Sequence, residues 1–475
     1  MIAALDTHPR VRLARGALQD DAWIVGGTVR DALLERPIVD LDIAVAGDPE
    51  RAARALAAAA GGPAFQLSER FGAWRVQARD DGFTFDVSAL QGVTIEEDLA
   101  RRDFAINAIA VPLAGGDPID PHGGAADAAA RVLRVLGGET VESSSYATDP
   151  LRPLRLVRLA TELGFEPDRR SERLTLEAAH DVSRASGERI FAELRRVLVS
   201  DRVVEGLELC DRLGVTAAVL PEVSALHGVE QSHFHHLDVH DHTIEVLREQ
   251  LGIERDPGAV FGRELRERVA EVLAEPLADE LTRAGALRLA ALLHDVGKPA
   301  TRAVLPDGRV SFVGHDAVGE DIIARICRRL RTSERLREFA GAVTRHHLVL
   351  GFMVHERPLT RAAVYRYLTT TSPVEIEVTV LTCADRLATR GKNAERAIAL
   401  HVGLARKLME AALEWRAAGP PKPPVRGDRL ASELGIEPGP ELGAIMAALA
   451  EAAYTGEATS QEEAVAYARR LRQNS

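Results

Sequence analysis

The sequence has little cysteine, few aromatic residues and no excess of positive charge. Its three cysteines, Cys210, Cys327 and Cys383, lie far apart and form no CxxC motif, which excludes a disulfide scaffold and a cysteine zinc site. Lys and Arg total 59 against 71 Asp and Glu, and the resulting net charge of −12 excludes a chain-wide basic surface for nucleic acid. No apolar run approaches the roughly 20 residues of a membrane span.

Apolar and charged residues are present in the proportions of ordinary globular domains. They make up 46% and 27% of the 475 residues, and a typical length of about 100–200 residues per domain predicts about three or four domains. The first residues, which include Asp6, His8 and Arg10, contain no apolar core of a signal peptide. We therefore expect a cytoplasmic protein without a membrane partner.

Hydrophobic patterning divides the chain into an α+β part followed by helices. Residues 22–47 have the pattern of strand, Gly-rich turn, short helix and strand, and the pattern is almost wholly helical from about Pro150 onward. Eleven of the 15 histidines lie between His227 and His355, and the Pro-rich run at 419–424 is typical of a stiff linker. The predicted domains are an α+β head at 1–140, a helical neck at 141–226, a histidine-rich domain at 227–416, and a linker with a helical tail at 417–475.

Two aspartates lie two residues apart on the second predicted strand of the head. Side chains at this spacing point to the same face of a strand, so Asp40 and Asp42 face one way and Leu41 and Ile43 face a core. Two neighbouring carboxylates repel each other, and a divalent cation relieves the repulsion. Oxygen-only ligands with open positions suit Mg²⁺. The alternative is a polar strand face in solvent.

A glycine turn precedes this pair. Gly26 and Gly27, between a strand and a helix, allow the backbone to approach a phosphate closely, and Arg30 follows one turn later. Together with the aspartates, this arrangement favours phosphoryl or nucleotidyl transfer. Asp86 offers a third carboxylate on another strand, although an ordinary edge-strand Asp is an open alternative. Adjacent arginines before Asp103 can bind phosphates or form surface ion pairs.

Five motifs occur in order along the chain. They are GGTVRD at 26–31, DLD at 40–42, RRDFAINAIA at 101–110, DPHGG at 120–124 and DPLRPLR at 149–155. By these motifs the chain resembles the class II tRNA nucleotidyltransferases (CCA-adding enzymes) and the similar bacterial poly(A) polymerases. The resemblance implies a polymerase-β-like head in which two metal ions on the Asp-x-Asp pair drive attack of an RNA 3′ hydroxyl on a nucleotide α-phosphate.

The resemblance also implies roles for individual residues of the head. Asp40 and Asp42, with Asp86, are expected to be catalytic and to bind Mg²⁺. The expected nucleotide-binding residues hold the triphosphate and the sugar, and they are Gly26, Gly27, Arg30, Arg102 and Asp103. The expected substrates are ATP, CTP and the tRNA 3′ end.

The neck carries a helix that the family uses to recognise the incoming base. Asp149-Pro150 has the pattern of an N-cap followed by proline at the first helical position. Arg152, Arg155 and Arg158 recur at helical spacing, and their local alternative is a solvated stripe. By resemblance, Asp149 and these arginines bind the nucleotide. The family motif is Glu-Asp-x-x-Arg, however, and Thr148 stands here in place of the glutamate.

A second departure concerns the segment between the third carboxylate and the double arginine. Only 14 residues separate Asp86 from Arg101. Family members that add only CC tend to lack a flexible loop that CCA-adding enzymes carry in this region. Addition of CCA is therefore the first hypothesis, and CC addition, A addition and poly(A) synthesis remain alternatives.

The histidine-rich domain contains the HDxGK signature at 294–298 and resembles the HD metal-dependent phosphohydrolases. Imidazole and carboxylate together suit a transition metal. By resemblance, one metal is held by His242, His294, Asp295 and Asp385, and a second by His315 and His346. Phosphatase or 2′,3′-cyclic phosphodiesterase activity is then expected, and a purely structural domain is the alternative. We assign no ligand role to the run His233–His236.

These patterns predict a multidomain α+β protein: a polymerase-β-like head, then a mostly helical neck, an HD domain and a helical tail. Three hypotheses of different classes follow. The first is nucleotide addition to tRNA, the second is an HD phosphohydrolase as the main activity, and the third is an RNA-binding scaffold without catalysis. The sequence leaves the oligomeric state open.

Overall fold

The chain folds into two compact units, residues 1–219 and residues 220–475. The computed structural model describes residues 3–18, 21–68, 72–231, 237–356, 358–390 and 394–473, so the run His233–His236 lies outside the described residues. Each unit is considered by itself below. The finer division into head, neck, HD domain and tail remains a prediction.

A six-stranded sheet forms the centre of the first unit. Its strand order is β3-β4-β5-β2-β1-β6, with β2 and β5 parallel and the other neighbours antiparallel. They include the two strands predicted within residues 22–47 and the strand predicted to carry Asp86. Their bounds are β1 Ala22–Val25, β2 Asp40–Val45, β3 Ala64–Ser68, β4 Ala73–Gln77, β5 Thr84–Ala89 and β6 Ala110–Pro112.

The alternation of side chains in β2 explains how the sheet packs. Leu41, Ile43 and Val45 are buried in a core that also contains Leu56 and Phe85. The opposite face is covered at one end by a second cluster, which includes Ala44. Asp40 and Asp42 therefore occupy the end of this second face that remains partly accessible.

Helices cover the sheet and form the rest of the first unit. Two short strands, β7 Val132–Leu133 and β8 Glu166–Pro167, pair in parallel and join the predicted head to the predicted neck. The helices are α1 Ala3–Thr7, α2 Pro9–Ala17, α3 Gly26–Leu33, α4 Pro49–Ala60, α5 Ile95–Ala100, α6 Gly124–Ala130, α7 Arg152–Leu163, α8 Arg169–Ala178, α9 Gly187–Leu198, α10 Val203–Arg212 and α11 Val215–Val219. Short 3₁₀ helices cover Ala105–Asn107, Ser145–Thr148 and Ala179–Arg184.

The start of α7 corrects one prediction. The helix begins at Arg152, two residues later than the Asp149-Pro150 pattern predicts, and Pro153 occupies its first turn. Asp149 still caps a turn, because its Oδ1 accepts a hydrogen bond from the Leu151 backbone N–H. The 3₁₀ helix at 145–148 delays the α-helix, and a local cap pattern does not reveal such a helix.

The second unit is almost entirely helical. Its strands form two hairpins, β9 Pro276–Ala278 with β10 Leu281–Thr282 and β11 Ala303–Val304 with β12 Val310–Ser311. A 3₁₀ helix covers Arg263–Leu265. The helices are α12 Pro221–Ser224, α13 Val239–Arg255, α14 Pro257–Phe261, α15 Arg266–Ala274, α16 Arg283–Leu293, α17 Lys298–Thr301, α18 His315–Leu330, α19 Glu334–His346, α20 Val349–Met353, α21 Arg361–Thr371, α22 Glu375–Ala388, α23 Ala394–Ala418, α24 Gly427–Leu434, α25 Pro440–Thr455 and α26 Gln461–Gln473.

The tail helices have a core of their own. Leu430 of α24, Leu449 of α25 and Ala468 of α26 are fully buried against one another. The predicted Pro-rich linker lies between α23 and α24. None of the helices in the described part of the chain is long and apolar enough to span a membrane. The predicted fold class, an α+β head followed by helical domains, is confirmed.

Candidate functional site

Three aspartates meet on the partly accessible face of the first unit's sheet. Asp40 and Asp42 lie on one face of β2, as predicted, and Asp86 of β5 lies directly opposite Asp42 in the parallel pairing. Directly opposed residues of neighbouring strands share a face. The strand order therefore brings together carboxylates that are more than 40 residues apart in the sequence.

The electrostatics of this cluster favour a bound cation. Burial, together with the charges of Asp40 and Asp86, raises the pKa of Asp42 to about 6. Burial and the neighbouring carboxylates also raise the pKa of Asp40. A divalent cation compensates such mutually repelling acids. Three carboxylates on a partly exposed face fit the ligand preferences of Mg²⁺.

The predicted glycine turn lies directly against these acids. Gly26 has φ +66°, and a Cβ at this position would come within 2.9 Å of Arg102 Nη1 and 3.0 Å of Asp42 Oδ2. The Gly27 backbone N–H donates to the carboxylate of Asp42. Only glycine combines this left-handed conformation with such a close approach. The turn, Arg102 and Asp42 therefore form a single cradle.

The other two predicted phosphate and sugar ligands of the head are held by internal partners. The Arg30 guanidinium donates to both carboxylate oxygens of Asp31 and to Asn107 Oδ1. Asp103 is buried and accepts hydrogen bonds from Asn107 Nδ2 and Arg155 Nη1. Burial alone would raise the pKa of Asp103, but the Arg155 charge lowers it. Contact of Arg30 and Asp103 with a nucleotide stays a prediction.

The second unit contains a denser cluster, made mainly of histidines. Donor atoms of His242, His294 and Asp295 lie within 4.8 Å of one another, and those of Asp295, His315 and His347 do likewise. Asp295 belongs to both groups, so both would share it if each held a metal. The predicted ligand Asp385 joins the first group, because its Oδ1 lies 3.0 Å from His242 Nε2.

Backbone carbonyls fix the orientation of three of these rings. His294 Nδ1 lies 2.8 Å from the Ala291 carbonyl oxygen, and His315 and His347 make the same contact with the residue three positions earlier, at 2.7 Å and 2.6 Å. A carbonyl only accepts, so each Nδ1 carries the hydrogen and donates it. Each Nε2 therefore keeps a lone pair for a metal, which is the usual arrangement of ligating histidines.

The structure separates two adjacent histidines: the predicted ligand His346 is partly exposed and lies outside the cluster, and its neighbour His347 is buried within it. Adjacent helical residues point about 100° apart, so only one of the two can face the core. The buried residues Val343 and Thr344 precede His347 by four and three positions, which places His347 on their face. That spacing was the signal in the sequence that identifies His347.

An open cavity of about 570 Å³ adjoins this cluster. Its lining includes Asp295, His315 and His347, and two basic side chains, Lys298 and Arg345. Lys298 Nζ lies 2.7 Å from Asp295 Oδ2. The cavity therefore places two cationic side chains beside the candidate metal ligands.

Comparisons with known proteins match the regions that contain the two clusters. The poly A polymerase head domain matches residues 22–134, and the HD domain matches residues 266–390. The A-adding tRNA nucleotidyltransferase of Deinococcus radiodurans is 35% identical over 455 residues, with 94% of this chain and 95% of that protein covered. The CC-adding tRNA nucleotidyltransferase of Thermus thermophilus is 34% identical, with 94% and 93% covered.

The chain belongs to the tRNA nucleotidyltransferase family. The predicted resemblance is thereby confirmed, and the chain is an enzyme of this class. A solved structure of the Bacillus stearothermophilus CCA-adding enzyme in complex with CTP shares the fold, with a TM-score of 0.64 and 23% identity over 98% of this chain and 99% of that one.

Backbone oxygens hold Arg152 beside Thr148, the residue that stands in place of the family glutamate. Thr148 donates to the Ser145 carbonyl, and the Arg152 guanidinium donates to the same oxygen at 2.7 Å and to the Arg101 carbonyl at 3.0 Å. Arg152 is thus oriented without a carboxylate. Asp149 meanwhile accepts from Arg189 at 2.6 Å. Base contact by Asp149 and Arg152 stays a prediction.

The remaining predicted base-binding residues form a buried ion network. Arg155 and Arg158 both donate to Glu193 of α9, and Arg158 also pairs with Glu162. Arg155 reaches Asp103 as well, so the network joins the neck helices to the RRD motif. These contacts indicate that Arg155 and Arg158 link α7 to α9. Nucleotide contact by them stays a prediction.

Two residues that the predictions left out also hold the site of this tRNA nucleotidyltransferase. Thr28 Oγ1 accepts from the Asp42 backbone N–H at 2.9 Å and donates to the Asp40 carbonyl at 3.3 Å, which fastens the glycine turn to β2. Thr28 lies inside the GGTVRD motif, so the motif itself was the signal. Glu193 lies 38 residues from Arg155, and no local pattern reveals that contact.

Proposed function

We propose that this enzyme adds nucleotides to the 3′ end of tRNA and that its product is CC. The fold, the acidic cluster and the named relatives support transfer to tRNA. The relatives do not distinguish the product, because A-adding and CC-adding proteins match almost equally well. The connection between β5 and α5 is the observation that favours CC.

That connection contains five residues, 90–94, and local hydrogen bonds hold it in place. The Gln91 backbone N–H donates to Asp98 Oδ1, and that of Val93 donates to Glu97 Oε2. Thr94 caps α5 through its hydroxyl. A short segment fastened at several points has no freedom to act as the mobile loop that the resemblance associates with addition of the final A. CC addition is therefore favoured over our first hypothesis, CCA.

The residues of the acidic cluster support a specific division of labour. Asp40 and Asp42, with Asp86, hold Mg²⁺. When bound, Mg²⁺ polarises the nucleotide α-phosphate and stabilises the leaving pyrophosphate. The turn at Gly26 and Gly27 admits the triphosphate because it presents no side chain. Arg102, beside Asp42, adds positive charge where the negative charge of the leaving group develops.

The assay uses purified full-length protein, Mg²⁺, and tRNA transcripts that end before the CCA sequence, after C and after CC. Each transcript is incubated with CTP, with ATP and with both, and the 3′ ends are sequenced. We expect two C residues on the first transcript, one on the second and none on the third, with no A. Completed CCA ends, a single A on the third transcript or a run of A would each contradict CC addition and assign another subtype. Asp40→Ala is the inactive control.

A second activity is favoured by the second unit. Three histidine Nε2 atoms and Asp295 point toward a common space beside a cavity with two basic residues. We propose that these residues, with His242 and Asp385, hold transition metals and hydrolyse a phosphoester. A transition metal held by these residues would lower the pKa of water and so would supply a hydroxide nucleophile at neutral pH.

This activity is tested with 2′,3′-cyclic AMP and a phosphomonoester in the presence of Mn²⁺, Ni²⁺ or Co²⁺. We expect hydrolysis by the wild-type protein and by Asp40→Ala, and none by His294→Ala/Asp295→Ala. Absence of hydrolysis by the wild type with any of these metals would contradict the proposal and support a structural domain.

A further inference from the structure

Arg75 lies in one row with the catalytic acids of the sheet. In the antiparallel pairing of β4 with β5, Arg75 is directly opposite Asp86, and Asp86 is directly opposite Asp42 of β2. Directly opposed residues share a face, so the three side chains stand side by side across three neighbouring strands. Arg75 is outside every motif that the sequence analysis used.

Arg75 holds Asp86 at two points. Its Nε donates to Asp86 Oδ1 and its Nη2 to Asp86 Oδ2, each at 2.7 Å. This is the two-pronged geometry in which guanidinium binds carboxylate with the best-defined orientation. The exposed fractions of the two side chains are 39% and 27%, so the pair lies at the rim of the cluster and not in the core.

The pair differs from an ordinary surface ion pair in its surroundings. The hydrogen bond to Asp86 raises the pKa of Arg75, and the negative charges of Asp40 and Asp42 raise it further. Its positive charge therefore acts on all three acids. A carboxylate has about four lone-pair positions, and the two hydrogen bonds from Arg75 use one on each oxygen. Asp86 therefore keeps a free lone pair on each oxygen for a cation.

We propose that Arg75 is a positioning residue that fixes the Asp86 carboxylate for divalent-cation binding with Asp40 and Asp42, and so sets the cation affinity of the transferase site. This inference rests on the proposed magnesium site. Hydrogen-bond partners of metal ligands orient the ligands, and their loss typically costs about 10–100-fold in metal affinity or activity. Without the fork, the Asp86 side chain rotates freely, and a cation must order it on binding.

The test measures Mn²⁺ binding directly, by the electron paramagnetic resonance signal of free Mn²⁺. The full chain carries His294→Ala/Asp295→Ala in every sample, so that the histidine cluster does not contribute. Arg75→Ala should weaken Mn²⁺ binding by about tenfold. Arg75→Lys keeps the charge and loses the two-point fork, so it should resemble Arg75→Ala. The control, Arg54→Ala, removes an exposed arginine that pairs with Glu50 on α4, and it should change nothing.

A double mutant separates positioning from general electrostatics. In an Asp86→Asn background, Arg75→Ala should weaken Mn²⁺ binding no further, because the two residues act through one contact. Where Asp86 is intact, Mn²⁺ binding that is unchanged or tightened by Arg75→Ala, or unchanged by Arg75→Lys, would overturn the inference, as would further weakening by Arg75→Ala in the Asp86→Asn background. Circular dichroism tests whether each variant is folded. If Arg75→Ala is not folded, Arg75→Lys replaces it in the comparison.

Failure of the inference is distinguishable from failure of the proposed function. The tRNA assay on the wild type measures the transferase reaction, whereas the Mn²⁺ titration measures the effect of Arg75 on cation affinity. A wild type that adds nucleotides, with Mn²⁺ binding insensitive to Arg75, would overturn only the inference. A background protein that binds no Mn²⁺ at all would overturn the magnesium site and the inference together.

Discussion

Aspartates of the two units have opposite electrostatic environments. In the first unit, burial and neighbouring carboxylates raise the pKa of Asp42 to about 6. In the second unit, burial alone would raise the pKa of Asp295, but His294 and Lys298 hold it well below its usual range. The acidic cluster therefore needs an external cation, whereas the histidine cluster compensates much of its charge with its own side chains.

The difference matches two kinds of chemistry. An oxygen-only cluster whose negative charge is only partly compensated suits Mg²⁺ that arrives with a nucleotide triphosphate. A cluster of oriented imidazoles around one carboxylate suits transition metals that stay bound. If both proposals hold, substitutions in one cluster should leave the reaction of the other intact.

The largest expected effect is that a substitution in each cluster abolishes one reaction and leaves the other intact. Asp42→Ala should reduce nucleotide incorporation to background and leave phosphoester hydrolysis intact, because it removes a ligand of the first site alone. His294→Ala/Asp295→Ala should do the reverse. Both variants are assayed for both reactions, and a variant that lost both would show that the sites are not independent.

Next in size is the contrast between two adjacent histidines. His347→Ala should lower transition-metal affinity and hydrolysis by at least about tenfold, because it removes an imidazole whose Nε2 lies 3.2 Å from that of His315. His346→Ala, which removes a half-exposed ring, should change both by less than about twofold. Metal content after dialysis and hydrolysis rates provide the measurement, and equal effects of the two changes would restore His346 as a ligand.

The same substitution in the two clusters should change stability in opposite directions. Asp295→Asn should destabilise the metal-free protein by about 3 kcal/mol, since it removes the partner of buried cationic groups. Asp42→Asn should stabilise it by about 1–2 kcal/mol, since it removes repulsion between neighbouring acids. Urea unfolding in EDTA measures both, and destabilisation by Asp42→Asn would contradict the uncompensated charge.

The smallest effect concerns an acid of the first unit that is compensated. The Arg155 charge lowers the pKa of the buried Asp103, so its ionised form should stabilise the fold at pH values above its unfolded pKa of about 4. That contribution should disappear as the pH falls through the lower folded value. The difference in unfolding free energy between wild type and Asp103→Asn, about 1–2 kcal/mol at pH 7, should therefore shrink toward pH 3. A constant difference would contradict the assigned role of Arg155.

Local patterns predicted the parts of the sites that depend on neighbouring residues. The period of two in β2 placed Asp40 and Asp42 on one face, and the glycine turn followed from its own motif. Local patterns could not predict contacts that depend on strand order or on helix packing. Arg75 meets Asp86 through a hairpin register, and Glu193 meets Arg155 across two helices.

Two predictions depended on a choice between nearby positions. The start of α7 lies at Arg152, because a 3₁₀ helix at Ser145–Thr148 and then a turn capped by Asp149 precede it. The choice of His346 over His347 did not use the helical phase that the buried residues of α19 define. In both cases the local backbone geometry, and not the residue types, decides the position.

Anomalous diffraction from crystals soaked in Mn²⁺ tests the central claim most directly. The account predicts a peak between the carboxylates of Asp40 and Asp42 in the first unit, strengthened by a bound nucleotide, and separate density at the histidines around Asp295. Density at the histidines alone, with the aspartates of β2 free of metal even when nucleotide is bound, would contradict it.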